Sequence, residues 1–193
     1  MQKLILVIVG MAGSGKSFAA DLLVKHFNAK EVHSGDVIRD EVRARGLKYS
    51  PTADMAVAHW FHTGGREKLV AQRVWEKVKR SRKEIIIIEG LRSPSQLKVI
   101  EQLACEKPVI ISITAPFRIR HEREHKRGRF GKAESEDYLR KRDKLELSHG
   151  VGKLMKRADY KVNNNGTTKQ LENSIIPLVE NVMQKYKYSH VEV

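Results

Sequence analysis

The sequence predicts an α/β fold, a five-stranded parallel sheet with helices on both faces. Three observations carry this. The runs Leu4–Val9, Ile85–Ile88 and Val109–Thr114 are short, unbroken and apolar, as expected of strands buried on both sides. Between them apolar residues recur at helical spacing, as in Phe18, Ala19, Leu22, Leu23 and Phe27. A glycine-rich loop joins the first apolar run to that first helix. Two weaker runs, Lys30–His33 and Ala158–Asn163, supply the remaining strands.

The loop is Gly10-Met11-Ala12-Gly13-Ser14-Gly15-Lys16-Ser17, which fits the pattern G-x-x-x-x-G-K-[ST] in its required setting of strand, loop and helix. Its glycines let successive backbone N–H groups turn toward one point, and the helix that follows adds partial positive charge there. An anion is expected at that point, which makes the fold a P-loop NTPase fold. Gly10 to Phe18 would cradle ATP, Lys16 would reach the β- and γ-phosphates, and the Ser17 hydroxyl would hold Mg²⁺.

After the first helix, the second strand runs into Ser34-Gly35-Asp36-Val37-Ile38-Arg39. Asp36 suits a helix start, and Arg39 lies on the same helix face, either as its ion-pair partner or as a cation for a second substrate. Residues 51–81 read as helical, begun by Pro51, broken at Gly64-Gly65 and striped by Leu69, Val70, Val74 and Val78. The span 34–81 is thus expected to form a helical acceptor-binding flap, with Trp60, Phe61 and Trp75 packing a small core of its own. The third strand ends in Glu89-Gly90-Leu91-Arg92. Ligands of parallel sheets gather beyond the carboxyl ends of the strands, so Glu89 and Asp36 are candidates for the metal or its waters. Gly35, Asp36, Arg39 and Arg92 are candidates for the acceptor.

A helix from Pro94 to Ala104 leads to the Val109–Thr114 strand. Beyond it the charge density climbs through Arg118, Arg120, Arg123, Arg127 and Arg129 to Arg140 and Arg142, with Gly128 and Gly131 flanking Phe130. Two arginine-bearing helices joined by a glycine-containing turn suit a short lid over about 117–147. From it Arg120, Arg123, Arg127, Arg140 and Arg142 would act with Lys16 on the transferring phosphoryl group. Asn163, Asn165 and Gly166, in the turn after the last strand, are expected to wall the nucleotide base. A closing helix carries Leu171, Ile175, Leu178, Val179, Val182 and Tyr186 on one face.

Composition bounds the alternatives. A length of 193 residues suits a single domain spanning 1–193, and no apolar run is long enough for a bilayer span, so a soluble, cytoplasmic protein is expected. Cys105 has no disulfide partner and is expected as a small residue on a helix. A net charge of +14 and a pI near 9.9 suit a polyanionic partner. RNA is one such partner, and a nucleotide-regulated RNA-binding or assembly ATPase is the alternative function. The chain nevertheless has no aromatic-rich or zinc-finger pattern to support RNA, and a small phosphorylated acceptor uses the same charge. His121-Glu122-Arg123-Glu124-His125 matches the zinc-hydrolase pattern H-E-x-x-H. It lacks the continuation that supplies a third ligand, and Arg120, Arg123 and Arg127 are interleaved with its histidines.

Taken together these motifs resemble the nucleoside monophosphate kinase branch of P-loop proteins. Ser34-Gly35-Asp36-x-x-Arg39 is similar to the adenylate kinase element that receives the acceptor monophosphate. Glu89-Gly90-Leu91-Arg92 is similar to that family's Asp-Gly-Phe-Pro-Arg, and Arg120-x-x-Arg123 with Arg140 and Arg142 to the arginines flanking its lid. Ala158-Asp159-Tyr160 followed by Asn163 and Gly166 resembles the ending of dephospho-coenzyme A kinase. Along nearly its whole length the chain is similar to archaeal adenylate-kinase-related, dephospho-coenzyme-A-kinase-like proteins. They share the patterns G-D-V-x-R, R-G-R, R-D-x-x-E-L-S-x-G-x-G and A-D-Y. The resemblance implies this fold and ATP-dependent phosphoryl transfer to a nucleoside monophosphate or a dephospho-coenzyme-A-like acceptor. Glu89 in place of aspartate, the short lid and the missing Phe-Pro are departures from it.

Overall fold

The structure, a computed structural model, describes residues 3–127 and 136–188. Its centre is β1 (Leu4–Val9), which pairs in parallel with β3 (Ile85–Glu89) on one side and β4 (Val109–Thr114) on the other. The edges are β2 (Lys30–His33), beside β3, and β5 (Tyr160–Asn163), beside β4. The order is β2-β3-β1-β4-β5, all parallel.

Side chains alternate across a strand, so one apolar run feeds two cores. Leu4, Leu6 and Ile8, with Ile87, Ile111 and Ile113, face α1 (Lys16–Phe27) and α9 (Thr168–Tyr188). Ile5, Val7 and Val9, with Ile86, Ile88 and Ile110, face the other layer. That layer is α2 (Ser34–Ala44), α3 (Pro51–His62), α4 (Glu67–Arg80), α5 (Pro94–Leu103) and α8 (Val151–Lys156). Two further helices, α6 (Phe117–Arg127) and α7 (Glu136–His149), lie in the basic segment.

Helix starts follow the capping chemistry. Ser50 accepts from Ala53 N at 3.1 Å ahead of Pro51, and Ser93 accepts from Gln96 N at 3.3 Å ahead of Pro94.

Several expectations are corrected. The flap has no core of its own: Phe61 is fully buried and joins the residues of β1 and β3, while Trp60 and Trp75 pack on the rim of that cluster. Trp60 is instead flanked by guanidinium groups, with Arg45 at 4.2 Å and Arg66 at 4.5 Å from its ring. Cys105 is exposed in the bend after α5, which ends at Leu103. β5 starts at Tyr160, two residues later than expected, and the Asp159 carboxylate just before it accepts from Ile110 N at 2.9 Å. Helix α8 follows α7 after Gly150 (φ +103), a break that periodicity alone did not place. The expected lid turn, with Gly128, Arg129, Phe130, Gly131 and Lys132, lies outside the described residues.

Candidate functional site

Strand register assembles the site. Ile8 is level with Glu89, and His33 of β2 is level with Glu89 from the other side. The carboxyl ends of three neighbouring strands therefore meet where the loop 10–17 begins. A cavity there is lined by Lys16, Ser17, His33, Glu89, Arg92 and Glu146, among others.

The loop is shaped from behind. Gly13 (φ +73) lies against the α6 backbone, where a Cβ would stand 2.5 Å from the Arg120 carbonyl oxygen. At Gly15 (φ +92) a Cβ would stand 2.2 Å from the Asn164 amide nitrogen. Arg120 donates to the Ala12 carbonyl at 3.0 Å, and Asn164 donates to the Ser14 carbonyl at 2.8 Å. In a trans peptide the C=O of one residue and the N–H of the next point to opposite sides. Holding the Ala12 and Ser14 carbonyls outward thus turns the Gly13 and Gly15 N–H groups to the other side of the loop, as an anion cradle requires.

At the front, Glu89 is 1% exposed and receives three groups. His33 Nε2 lies 2.7 Å and Ser17 Oγ 3.2 Å from one carboxylate oxygen, and Lys16 Nζ lies 3.8 Å from the other. Burial alone pushes the carboxyl up. The His33 hydrogen bond, the Lys16 charge and the Ser17 hydroxyl overcome this and hold it down at about 2, so Glu89 is a carboxylate. Lys16 is lowered from its ordinary value by burial, against the pull of Glu89 and Glu146. His33 Nδ1 accepts from Gly35 N at 2.8 Å, so its proton sits on Nε2 and is given to Glu89. A hydroxyl and a carboxylate oxygen side by side are hard donors of the kind Mg²⁺ takes alongside its waters. Ser17 and Glu89 therefore fit that ion.

The expected acceptor residues divide. Arg92 lines the cavity and donates to Glu146 at 2.7 Å. Asp36 and Arg39 pair with each other one turn along α2 and do not line it, so Asp36 is not beside Ser17 and Glu89. Gly35 is occupied in fixing His33, and a Cβ there would meet the His33 ring at 2.7 Å.

The lid arginines divide as well. Arg127 and Arg142 line the cavity. Arg120 is 7% exposed and bidentate to Asp143 at 2.9 and 2.6 Å, behind the loop. Arg123 donates to the Asn164 carbonyl at 3.1 Å and the Gly166 carbonyl at 3.3 Å, tying α6 to the turn after β5. Arg140 pairs with Glu136 on the exposed surface and lies over the Phe117 ring at 4.3 Å. None of these three lines the cavity.

Asn163, Asn165 and Gly166 line a separate open groove with Gln170, Asn173 and Ser174, while Asn164 is the turn residue that touches the loop. Met11 and Phe18 do not line the cavity, and Phe18 is exposed.

Sequence reasoning missed four further residues. Glu146, 3% exposed, accepts from Ala12 N at 3.3 Å, from Arg92 and from Arg142 at 3.3 Å. Glu124 holds Arg142 at 3.3 Å and Arg127 at 3.7 Å. The His62 and His149 rings stack at 3.9 Å; burial, then His149 and Arg92, push His62 down to about 4, and burial, then Arg92, push His149 below the ordinary imidazole value. The signals available beforehand were the four-residue spacing of Arg142 and Glu146 and the place of both in the pattern R-D-x-x-E-L-S-x-G-x-G.

The H-E-x-x-H motif lies on α6. Its two rings are 6.1 Å apart, and among the described residues no group of three or more His, Cys, Asp or Glu could hold a metal ion. Nor is any described helix long and apolar enough to cross a membrane.

The parallel sheet, the cradle loop and the converging cations define a P-loop kinase-like domain. Among solved structures the fold is similar to TT1252 from Thermus thermophilus (TM-score 0.61, 18% identity, 94% of this chain and 98% of that one). It is also similar to shikimate kinase from Acinetobacter baumannii in complex with shikimate (TM-score 0.60, 14% identity, 95% and 94%). The chain belongs to the AAA domain family, whose model matches residues 6–141, and to the UPF0200 family. A UPF0200 protein of Methanosarcina barkeri is 30% identical over 181 residues, which cover 94% of this chain and 97% of that one. Another, of Pyrococcus horikoshii, is 30% identical over 188 residues, covering 95% and 100%.

Proposed function

We propose that the protein is an ATP- and Mg²⁺-dependent phosphotransferase acting on a small phosphorylated acceptor. The observation that carries this is the single cavity in which Lys16 and Ser17 of the loop meet Glu89 of β3 and two guanidinium groups, Arg92 and Arg142, from separate elements. Such an arrangement suits two anionic compounds brought face to face. In phosphoryl transfer the protein contributes mainly positioning and charge stabilisation.

In this reading the Gly13 and Gly15 amides and Lys16 hold the β- and γ-phosphates. Ser17 and Glu89, the latter oriented by His33, hold Mg²⁺, which supplies Lewis-acid stabilisation of the phosphate oxygens when bound. Arg127 and Arg142 face the transferring group. Arg92 meets the acceptor, whose far end reaches toward Gly35 and Arg39. The groove of Asn163, Asn165 and Gly166 takes the nucleotide base. Residues 34–81 serve as flap and 117–147 as lid of a single domain. The fold shared with shikimate kinases supports a small-molecule acceptor.

Labelled ATP offered with nucleoside monophosphates, dephospho-coenzyme A and RNA ends tests this. One small acceptor is expected to gain the label, and Lys16→Ala to abolish transfer while the protein stays folded. Calorimetry that detects no heat with ATP plus Mg²⁺ would end the proposal, and label on RNA alone would replace it.

A further inference from the structure

Resting on that reading, we infer that Glu146 is the proton acceptor of the reaction and that the atom phosphorylated is a hydroxyl oxygen, not a phosphate oxygen.

The first ground is position. The carboxylate of Glu146 accepts from the Ala12 amide at 3.3 Å, so it sits on the loop that cradles the terminal phosphate. It lines the same cavity as Lys16 and Ser17 and is 3% exposed. Arg92, at 2.7 Å, and Arg142, at 3.3 Å, both donate to Oε1, whereas among the described residues Oε2 accepts only from the Ala12 amide. Burial pushes the carboxyl up, but Arg92, Arg142 and Lys16 hold it below its ordinary value, so it is present as the carboxylate. Oε2 retains capacity for a proton.

The second ground is charge. Among the described residues the cavity places Lys16, Arg92, Arg127 and Arg142 against three carboxylates, Glu89, Glu124 and Glu146. One cation in surplus complements MgATP. Counted over the described residues, that leaves little to attract a second phosphate dianion into the same space, where the fixed carboxylate of Glu146 would repel it. A neutral hydroxyl pays no such cost, and attack by a hydroxyl needs a base, whereas attack by an ionised phosphate oxygen does not. Any phosphate on the acceptor then lies outside this cavity, toward Arg39.

The step balances. The acceptor oxygen bonds to the γ-phosphorus as the bond from that phosphorus to the β,γ-bridging oxygen breaks. The bonding pair leaves on ADP, and the hydroxyl proton passes to Glu146 Oε2, as carboxylates serve in other kinases. The products are a phosphomonoester and ADP.

Glu146→Gln and Glu146→Asp distinguish the possibilities, because water can stand in for the acceptor. Both variants are expected to bind MgATP with the heat of the unaltered protein. ATP hydrolysis should fall about 100-fold in kcat, with KM for ATP within about two-fold. With dephospho-coenzyme A, adenosine and AMP as probes, phosphorus NMR is expected to show a new phosphomonoester on the acceptor, beside the one ADP left by each ATP consumed. Three results would overturn the inference: a diphosphate built on the acceptor, read with AMP as two ADP for each ATP consumed, a Glu146→Gln protein that phosphorylates the AMP phosphate better because Arg92 is released, or MgATP affinity lost in step with the rate, which would make Glu146 a support for the loop. An unaltered protein that binds MgATP but phosphorylates neither water nor any hydroxyl also counts against it. Absence of MgATP binding altogether would fall on the broader proposal instead.

Discussion

The arginines in front of the loop and those behind it come from the same two helices, yet they have different partners. Behind, Arg120 is locked to Asp143 and the Ala12 carbonyl, and Arg123 to the turn after β5. In front, Arg142 and Arg127 line the cavity and are held by Glu124, with Glu146 also on Arg142. The difference lies in the acceptor each guanidinium meets, carboxylates for Arg120, Arg127 and Arg142 and backbone carbonyls for Arg123. Asp143 and Glu146, one turn apart on α7, sort the neighbouring arginines into a brace and a working face.

Substitutions separate the two. Arg120→Ala leaves a mostly buried Asp143 without its cation, and thermal or urea unfolding is expected to register a loss of about 3–5 kcal/mol. A stable Arg120→Ala protein that is merely inactive would erase the distinction. Arg142→Ala should do the reverse, lowering transfer about 100-fold in a steady-state assay while stability moves far less. Asn164→Ala removes the donor to the Ser14 carbonyl. It should cost about 1–3 kcal/mol in unfolding and weaken nucleotide binding in calorimetry, through the shape of the loop alone.

A pH titration addresses the flap side of the cavity. His62 is held near 4 in the folded protein, below its ordinary 6.5, by burial and then by His149 and Arg92. The unfolded chain therefore binds more protons between those values. Stability from this group is complete above about pH 6.5 and is lost as pH falls toward 4. His62→Gln should flatten that part of a pH series of urea midpoints. The smallest effect is expected for Arg140→Ala, whose exposed pair with Glu136 is worth about 0.5 kcal/mol and whose loss should change transfer less than about two-fold.

The fold was legible because its signals are local. Unbroken apolar runs marked the strands, and Gly10 to Ser17 carried its own context. Which arginine faces the cavity was not legible, because charge density says nothing of the acceptor a guanidinium will meet after folding. Arg120 finds Asp143 across 23 residues, and Ala12 finds Glu146 across 134. Asn164, rather than its neighbours Asn163 and Asn165, reaches Ser14, a contact across 150 residues that the run of three amides does not reveal. The flap core was misjudged because Phe61 is apolar in a helical stripe whichever core it joins.

The hydrogen bond from Asn164 to Ser14 spans 150 residues of chain. The shape of the loop thus depends in part on a residue beyond the edge strand β5, and on the proposed reading a disturbance at that edge would be felt by the phosphates without altering any residue of 10–17.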